Sequence, residues 1–87
     1  MVGSVETRVR TVLKEFGLLQ ADVDVLAVDA DLYEAGLTSH ATVNLMLALE
    51  EAFDVEFPDR LLRRRTFSSV NAIAQSLAEI SAHKVAA

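Results

Sequence analysis

Apolar residues recur at helical spacing in three separate stretches of this chain, and that pattern calls for an all-α fold. Between Ser39 and Phe53, the residues Leu45, Met46, Leu49 and Phe53 form one stripe, while Val43 and Leu47 lie one turn apart on a neighbouring face. The apolar arc is wider than one buried face needs. Either this helix is buried on two sides, or Val43 and Leu47 make a small exposed patch of the kind that marks a docking surface. Val5, Val9, Val12, Leu13 and Phe16 give a first helix, with Ser4 to cap its start and Gly17 to end it in left-handed backbone. Val70, Ile73, Ala74, Leu77 and Ile80 give a last helix, capped by Ser68 or Ser69 and fraying from Ala82. Beyond an extended link from Asp54 to Phe57, Pro58 at a first helical position starts a short helix through Leu61 and Leu62. The expectation is a small four-helix bundle with a short third helix and a long loop between the first two.

That loop, Leu18 to Thr38, has no sustained helical or alternating pattern and is long for a compact domain. Val23, Val25, Leu26, Leu32 and Leu37 are apolar enough to lie across a core. Its acids, Asp22, Asp24, Asp29, Asp31 and Glu34, invite a calcium-loop reading, which needs Gly at the sixth position and Glu at the twelfth. Counting from Asp22 gives Ala27 and Tyr33, and from Asp29 gives Glu34 and His40. Neither frame works, and the acids read as solvated surface. Glu50 and Glu51, near a helix C-terminus where their charge opposes the dipole, are expected to face solvent, for instance paired with a basic neighbour.

With 87 residues there is room for one domain, with an ordered core over about residues 4–81. The chain has no cysteine, which excludes disulfides, thiolate metal sites and cysteine nucleophiles and suits a cytoplasmic protein. Neither a secretory or transit leader nor a membrane span is expected. A formal charge of −5 argues against nucleic acid as a partner. Charge is nevertheless uneven, because Arg60, Arg63, Arg64 and Arg65 hold half of the eight Lys and Arg residues. That run is either a solvated face partly neutralised by the acidic loop or a contact for an acidic partner.

Chemistry concentrates at Gly36-Leu37-Thr38-Ser39-His40, where the loop enters the central helix. Thr38 or Ser39 can act as N-cap, and the free N–H groups and dipole of a first turn equally favour a phosphate attached to Ser39. A nucleophilic serine needs a base within reach. His40 is adjacent, about 100° round a helix, and His83 lies in the tail, so neither serves Ser39. The stretch is not G-x-S-x-G, and two histidines without cysteine make a poor metal set. The chain is therefore expected not to be an enzyme but to be acted upon by others.

Asp31-Leu32-Tyr33-Glu34-Ala35-Gly36-Leu37-Thr38-Ser39, then Leu45-Met46-Leu47-Ala48-Leu49-Glu50-Glu51-Ala52-Phe53, Asp54-Val55-Glu56-Phe57-Pro58-Asp59 and Thr66-Phe67-Ser68-Ser69-Val70, together resemble the acyl carrier proteins and their peptidyl and aminoacyl relatives. The resemblance implies that Ser39 receives 4′-phosphopantetheine from coenzyme A, through a phosphopantetheinyl transferase. It also implies cargo held as a thioester on the arm, an acyl- or amino-acid-activating ligase that loads it, and a downstream acceptor enzyme, with the carrier a monomer. Fatty-acid carriers typically have Asp before the serine, an apolar residue after it and acidic residues beyond the second helix. Thr38, His40 and the arginine run depart from that pattern. They point to a specialised carrier, with amino-acid cargo a serious candidate, whose partners meet Thr38, His40, Val43, Leu47, Arg60, Arg63 and Arg64. The alternative is an unmodified helical interaction module using the same surface.

Overall fold

A computed structural model describes residues 5–17, 19 and 21–86, with side chains as far as Ser81. The fold is helical: α1 spans Val5–Phe16, α2 Ser39–Phe53 and α3 Val70–Ala86, with three short 3-10 turns at Val23–Val25, Asp59–Leu61 and Arg64–Phe67. Where a short third helix is expected through Leu61 and Leu62, the chain forms a 3-10 turn at Asp59–Leu61 and a second one at Arg64–Phe67, so the α-helices number three among the described residues. Pro58 stands before the first of these two turns with extended backbone (φ −72°, ψ 159°), not inside it. Leu62 and Arg63 then leave helical geometry, and the break lets Leu61 pack on the core from one side while Thr66 and Phe67 are buried from the other. Ser4 and the side chain of His83 lie outside the described residues. The last helix continues to Ala86, past Ala82 where fraying is expected.

α1 packs against both α2 and α3. Val9, Leu13, Leu45, Leu49, Val70, Ile73 and Leu77 are fully or almost fully buried between them. Each removes a large aliphatic side chain from water, and such burial contributes about 1.5–3 kcal/mol apiece. The stripe on α1 is narrower than its spacing suggests, since Val5 and Phe16 at its two ends are exposed. Gly17 ends α1 without left-handed backbone. Its need for glycine is steric, because a Cβ there would lie 2.8 Å from the Leu13 carbonyl oxygen and 2.7 Å from Leu13 Cδ1.

The loop between α1 and α2 is fastened across the molecule by backbone hydrogen bonds. Leu32 N–H donates to the Ser68 carbonyl (2.7 Å), and Asn71 N–H, in the first turn of α3, donates to Val28 (2.8 Å). Val23, Leu32 and Leu37 enter the core as expected, and Leu26 packs against it. Val25 does not, since the 3-10 turn that points Val23 inward leaves Val25 78% exposed. The acidic residues are exposed but not idle. Asp22 accepts from Asp24 N–H (3.0 Å), and Asp24 pairs with Lys14 (2.7 Å), whose ammonium pKa is raised by that hydrogen bond and charge.

α2 resolves the question of its second apolar face. Ala41, Leu45 and Leu49 are buried, Met46 and Phe53 pack partly buried against the core, and Val43 and Leu47 are each 53% exposed. Phe16 and Leu47 line one shallow cavity with Asn44, Ala48 and Glu51. Glu50 departs from expectation. It is half-buried, and its carboxylate accepts the Phe57 N–H at 2.8 Å, fixing the link that follows the helix instead of pairing with a cation. That link carries Phe57 into the core against Phe67, with ring centroids 5.4 Å apart. Asn44, His40 and Thr42 occupy the remaining faces of the first turns. No helix among the described residues is long and apolar enough to cross a membrane.

Candidate functional site

The approach to α2 is built by one compact turn. Asp31 Oδ1 accepts from the N–H groups of Tyr33 (2.9 Å) and Glu34 (3.4 Å), opening the turn. Leu37 N–H returns to the Leu32 carbonyl (2.9 Å) and Gly36 N–H to Tyr33 (3.2 Å), the paired 6→1 and 5→2 bonds that close a Schellman motif. Gly36 sits at φ 116°, where a side chain would be strained. Leu32 and Leu37, the two ends of the motif, are both buried. The chain is thus delivered to Thr38 in a fixed direction.

Thr38 is the N-cap. Its Oγ1 accepts from Ala41 N–H (3.1 Å), and its carbonyl accepts both the Thr42 N–H (2.9 Å) and the Thr42 hydroxyl (2.7 Å). Ser39 is therefore the first helical residue and is exposed, with its hydroxyl in no hydrogen bond among the described residues. The N–H groups of Ser39 and His40 likewise have no acceptor there. An exposed hydroxyl beside two open amide donors at the positive end of a fifteen-residue helix is a favourable seat for a phosphodiester.

Ser39 also lines a cavity of ≈ 390 Å³ together with Tyr33, Met46, Leu62, Arg63, Arg64 and Phe67. Arg64 lies over the Tyr33 ring, its guanidinium carbon 3.8 Å from the centroid, and the Tyr33 hydroxyl donates to the Arg64 carbonyl (3.0 Å). These contacts tie the Gly36 turn to the arginine segment within the lining of the cavity. Burial raises the Tyr33 phenol pKa, against Arg64 and a hydrogen bond with Thr42 that lower it; Asp31 adds to the rise.

The residues singled out from sequence separate here. Ser39, Val43, Arg63 and Arg64 meet at the cavity, whereas His40 and Leu47 stand exposed on α2 outside it and Thr38 is committed to the cap. Arg60 faces α3, where it pairs with Glu79 and not with the acidic loop. Tyr33, Met46 and Leu62 were not singled out. Signals exist for two of them: Tyr33 is the one tyrosine in the chain and sits in its most acidic loop, and Leu62 is a leucine among arginines.

The family model for a phosphopantetheine attachment site matches residues 7–80. This chain belongs to that family of carrier proteins. A curated relative, an aminoacyl carrier protein from Agrobacterium fabrum, is 52% identical over 79 residues, which is 91% of this chain and 95% of the relative. Among solved structures, one holds a carrier protein from Agrobacterium tumefaciens in complex with an engineered Bradyrhizobium japonicum glycine:[carrier protein] ligase and ATP. It matches at 50% identity with a TM-score of 0.84, covering 87% of this chain and 99% of that one. Another, of the Bradyrhizobium japonicum ligase complexed with glycylated carrier protein, matches at 31% identity and a TM-score of 0.69, over 83% of this carrier and 96% of that chain. The family's cofactor is 4′-phosphopantetheine. The free hydroxyl, open amides and adjoining cavity at the start of α2 suit it.

Proposed function

We propose that this protein is an aminoacyl carrier that bears 4′-phosphopantetheine on Ser39 and presents an amino acid, as a thioester, to partner enzymes. The observation that carries the proposal is the division of labour at the start of α2: Thr38 caps the helix, and Ser39 is left exposed, its hydroxyl unbonded among the described residues. When bound, the arm supplies the thiol that a chain without cysteine lacks. The carrier's own residues hold and orient it. The open Ser39 and His40 amides offer donors to the phosphodiester, Gly36 fixes the direction in which the chain enters α2, and Val43 and Leu47 offer an exposed apolar surface on the same helix. None of these groups is a base for Ser39, so the chemistry of attachment and loading belongs to a phosphopantetheinyl transferase and an amino-acid-activating ligase. Amino-acid cargo is supported by the likeness to the aminoacyl carrier protein and to carriers solved with glycine:[carrier protein] ligase. Thr38, His40, Val43, Leu47, Arg60, Arg63 and Arg64 are the proposed partner surface, and the cytoplasm the proposed location.

The test is an intact mass after incubation with coenzyme A, magnesium and a broad-specificity phosphopantetheinyl transferase. Wild type is expected to gain one phosphopantetheine and Ser39→Ala none. A second incubation with ATP, glycine and a glycine:[carrier protein] ligase is expected to add glycine to the modified protein alone. No gain in the first step, or an equal gain by Ser39→Ala, defeats the assignment of Ser39. Partner binding that survives Ser39→Ala without any modification points instead to an unmodified interaction module.

A further inference from the structure

The arginine segment covers a second cavity, of ≈ 320 Å³, against α3, and its wall includes Arg60, Arg63, Arg65, Thr66, Ser76 and Glu79. Arg60 is neutralised by Glu79. Arg63 and Arg65 have no carboxylate partner among the described residues, so two positive charges stand uncompensated at this cavity in a chain whose formal charge is −5. Thr66 and Ser76 are only 4% and 8% exposed, yet neither hydroxyl has a hydrogen-bond partner among the described residues. Neither of these oxygens is sealed off from solvent, and both residues line the cavity.

Two hydroxyl-bearing residues and two arginines without a carboxylate partner among the described residues line one concavity, and their common complement is a compact oxyanion. A phosphate monoester suits the set better than a carboxylate, because it carries three terminal oxygens and up to two negative charges. We propose that the cavity between the arginine segment and α3 is a phosphate-binding site, separate from the attachment serine, that takes the phosphate monoester of a small ligand. Arg63 also lines the cavity beside Ser39, so the two sites adjoin. A ligand with a phosphate monoester at one end, such as coenzyme A with its 3′-phosphate or a nucleoside monophosphate, has the right chemistry.

The site is tested on the unmodified, isotopically labelled chain, so its outcome is independent of whether Ser39 accepts an arm. Inorganic phosphate is titrated at constant ionic strength while NMR follows the Nε–Hε signals of Arg63 and Arg65 and the backbone amides of Thr66 and Ser76. The expected result is a saturable shift with a dissociation constant on the order of 1 mM, as a few charge-assisted contacts give. Arg65→Gln, an exposed change that does not threaten folding, is expected to weaken binding about tenfold. Thr66→Val keeps the buried shape and is expected to weaken it severalfold. Coenzyme A binding more tightly than dephospho-coenzyme A identifies the 3′-phosphate as the bound group, and AMP matching coenzyme A identifies any nucleotide monoester. Shifts that stay linear, that acetate reproduces at equal ionic strength, or that Arg65→Gln leaves unchanged overturn the proposal.

Discussion

The two ends of α2 are finished in opposite ways. The amino end is satisfied from within four residues, by the Thr38 side chain and carbonyl, and among the described residues leaves the next two amides and the Ser39 hydroxyl open. The carboxyl end is gripped from across the sequence. Arg8 on α1 donates to the Ala52 carbonyl (2.6 Å) while its guanidinium lies 4.2 Å from the Phe53 ring centre. Glu50 holds the Phe57 amide, and Asp54 turns the chain in left-handed backbone (φ 54°, ψ 51°), so that Val55 N–H reaches the Glu50 carbonyl at 3.1 Å. The tie that reaches α2 itself from far along the sequence, Arg8, falls at the end away from the exposed serine, while the ties near the amino end hold the preceding turn and not the helix. A carrier needs such an arrangement, because the attachment residue has to be accessible to several enzymes without the helix behind it depending on that residue.

The sharpest way to break this contrast is to weaken each end in turn and measure unfolding in denaturant. Leu49→Ala, in the fully buried part of α2 nearest the gripped end, is expected to cost about 2–5 kcal/mol. Glu50→Ala strands the Phe57 amide and is expected to cost about 1–3 kcal/mol. That loss is reduced by the few tenths, about 0.3 kcal/mol or more, that removing a carboxylate from a helix C-terminus returns. At the open end, Thr38→Ala is expected to cost about 1 kcal/mol through the lost cap. Ser39→Ala should stay within about 0.5 kcal/mol of wild type, since it is an exposed residue with no bond to lose. If Ser39→Ala proves as costly as Thr38→Ala, the two residues share the cap and the separation of structure from function at this end is wrong.

How much of this was legible in the sequence follows the same local and long-range division. The helical stripes, the loop, the turn at Gly36 and a hydroxyl at the start of α2 all rest on residues within a few positions of one another, and they could be read directly. Which of Thr38 and Ser39 caps the helix could not, because both side chains suit the position and only the backbone direction set by the Gly36 turn chooses. The role of Glu50 is hidden for a related reason. Its partner is an amide seven residues on, brought within reach only after Asp54 reverses the chain. The arginine run looked like one feature and is several: Arg60 pairs with α3, Arg64 stacks on Tyr33, and Arg63 and Arg65 are free among the described residues. Charge counting cannot make that distinction, because tertiary packing assigns the partners. The short third helix is present only as a single 3-10 turn at Asp59–Leu61, followed by another at Arg64–Phe67. A segment that has to bury Leu61, Thr66 and Phe67 while keeping four arginines in water does so better as two 3-10 turns than as one α-helix.

The smallest expected effect concerns Tyr33, the long-range tie nearest the open end. Its phenol titrates above the ordinary value chiefly because burial disfavours the phenolate. A folded-state pKa raised above the unfolded one means that the unfolded chain loses this proton first. The tie's contribution is therefore intact below about pH 10 and declines as pH rises through the folded pKa. Lys14 works in the same direction through Asp24, so the total alkaline decline mixes the two and Tyr33→Phe is needed to separate them. In stability measured from neutral to strongly alkaline pH, the Tyr33→Phe profile should fall less steeply than wild type in the window just above pH 10. It should also start lower at neutral pH, because the hydrogen bond from the hydroxyl to the Arg64 carbonyl is gone while the ring still lies under the guanidinium. Parallel profiles would mean that the phenol is solvated in the folded protein, and that the turn carrying Gly36 is held by its backbone bonds alone. The amino end of α2 would then be even more locally built than the contrast with its carboxyl end implies.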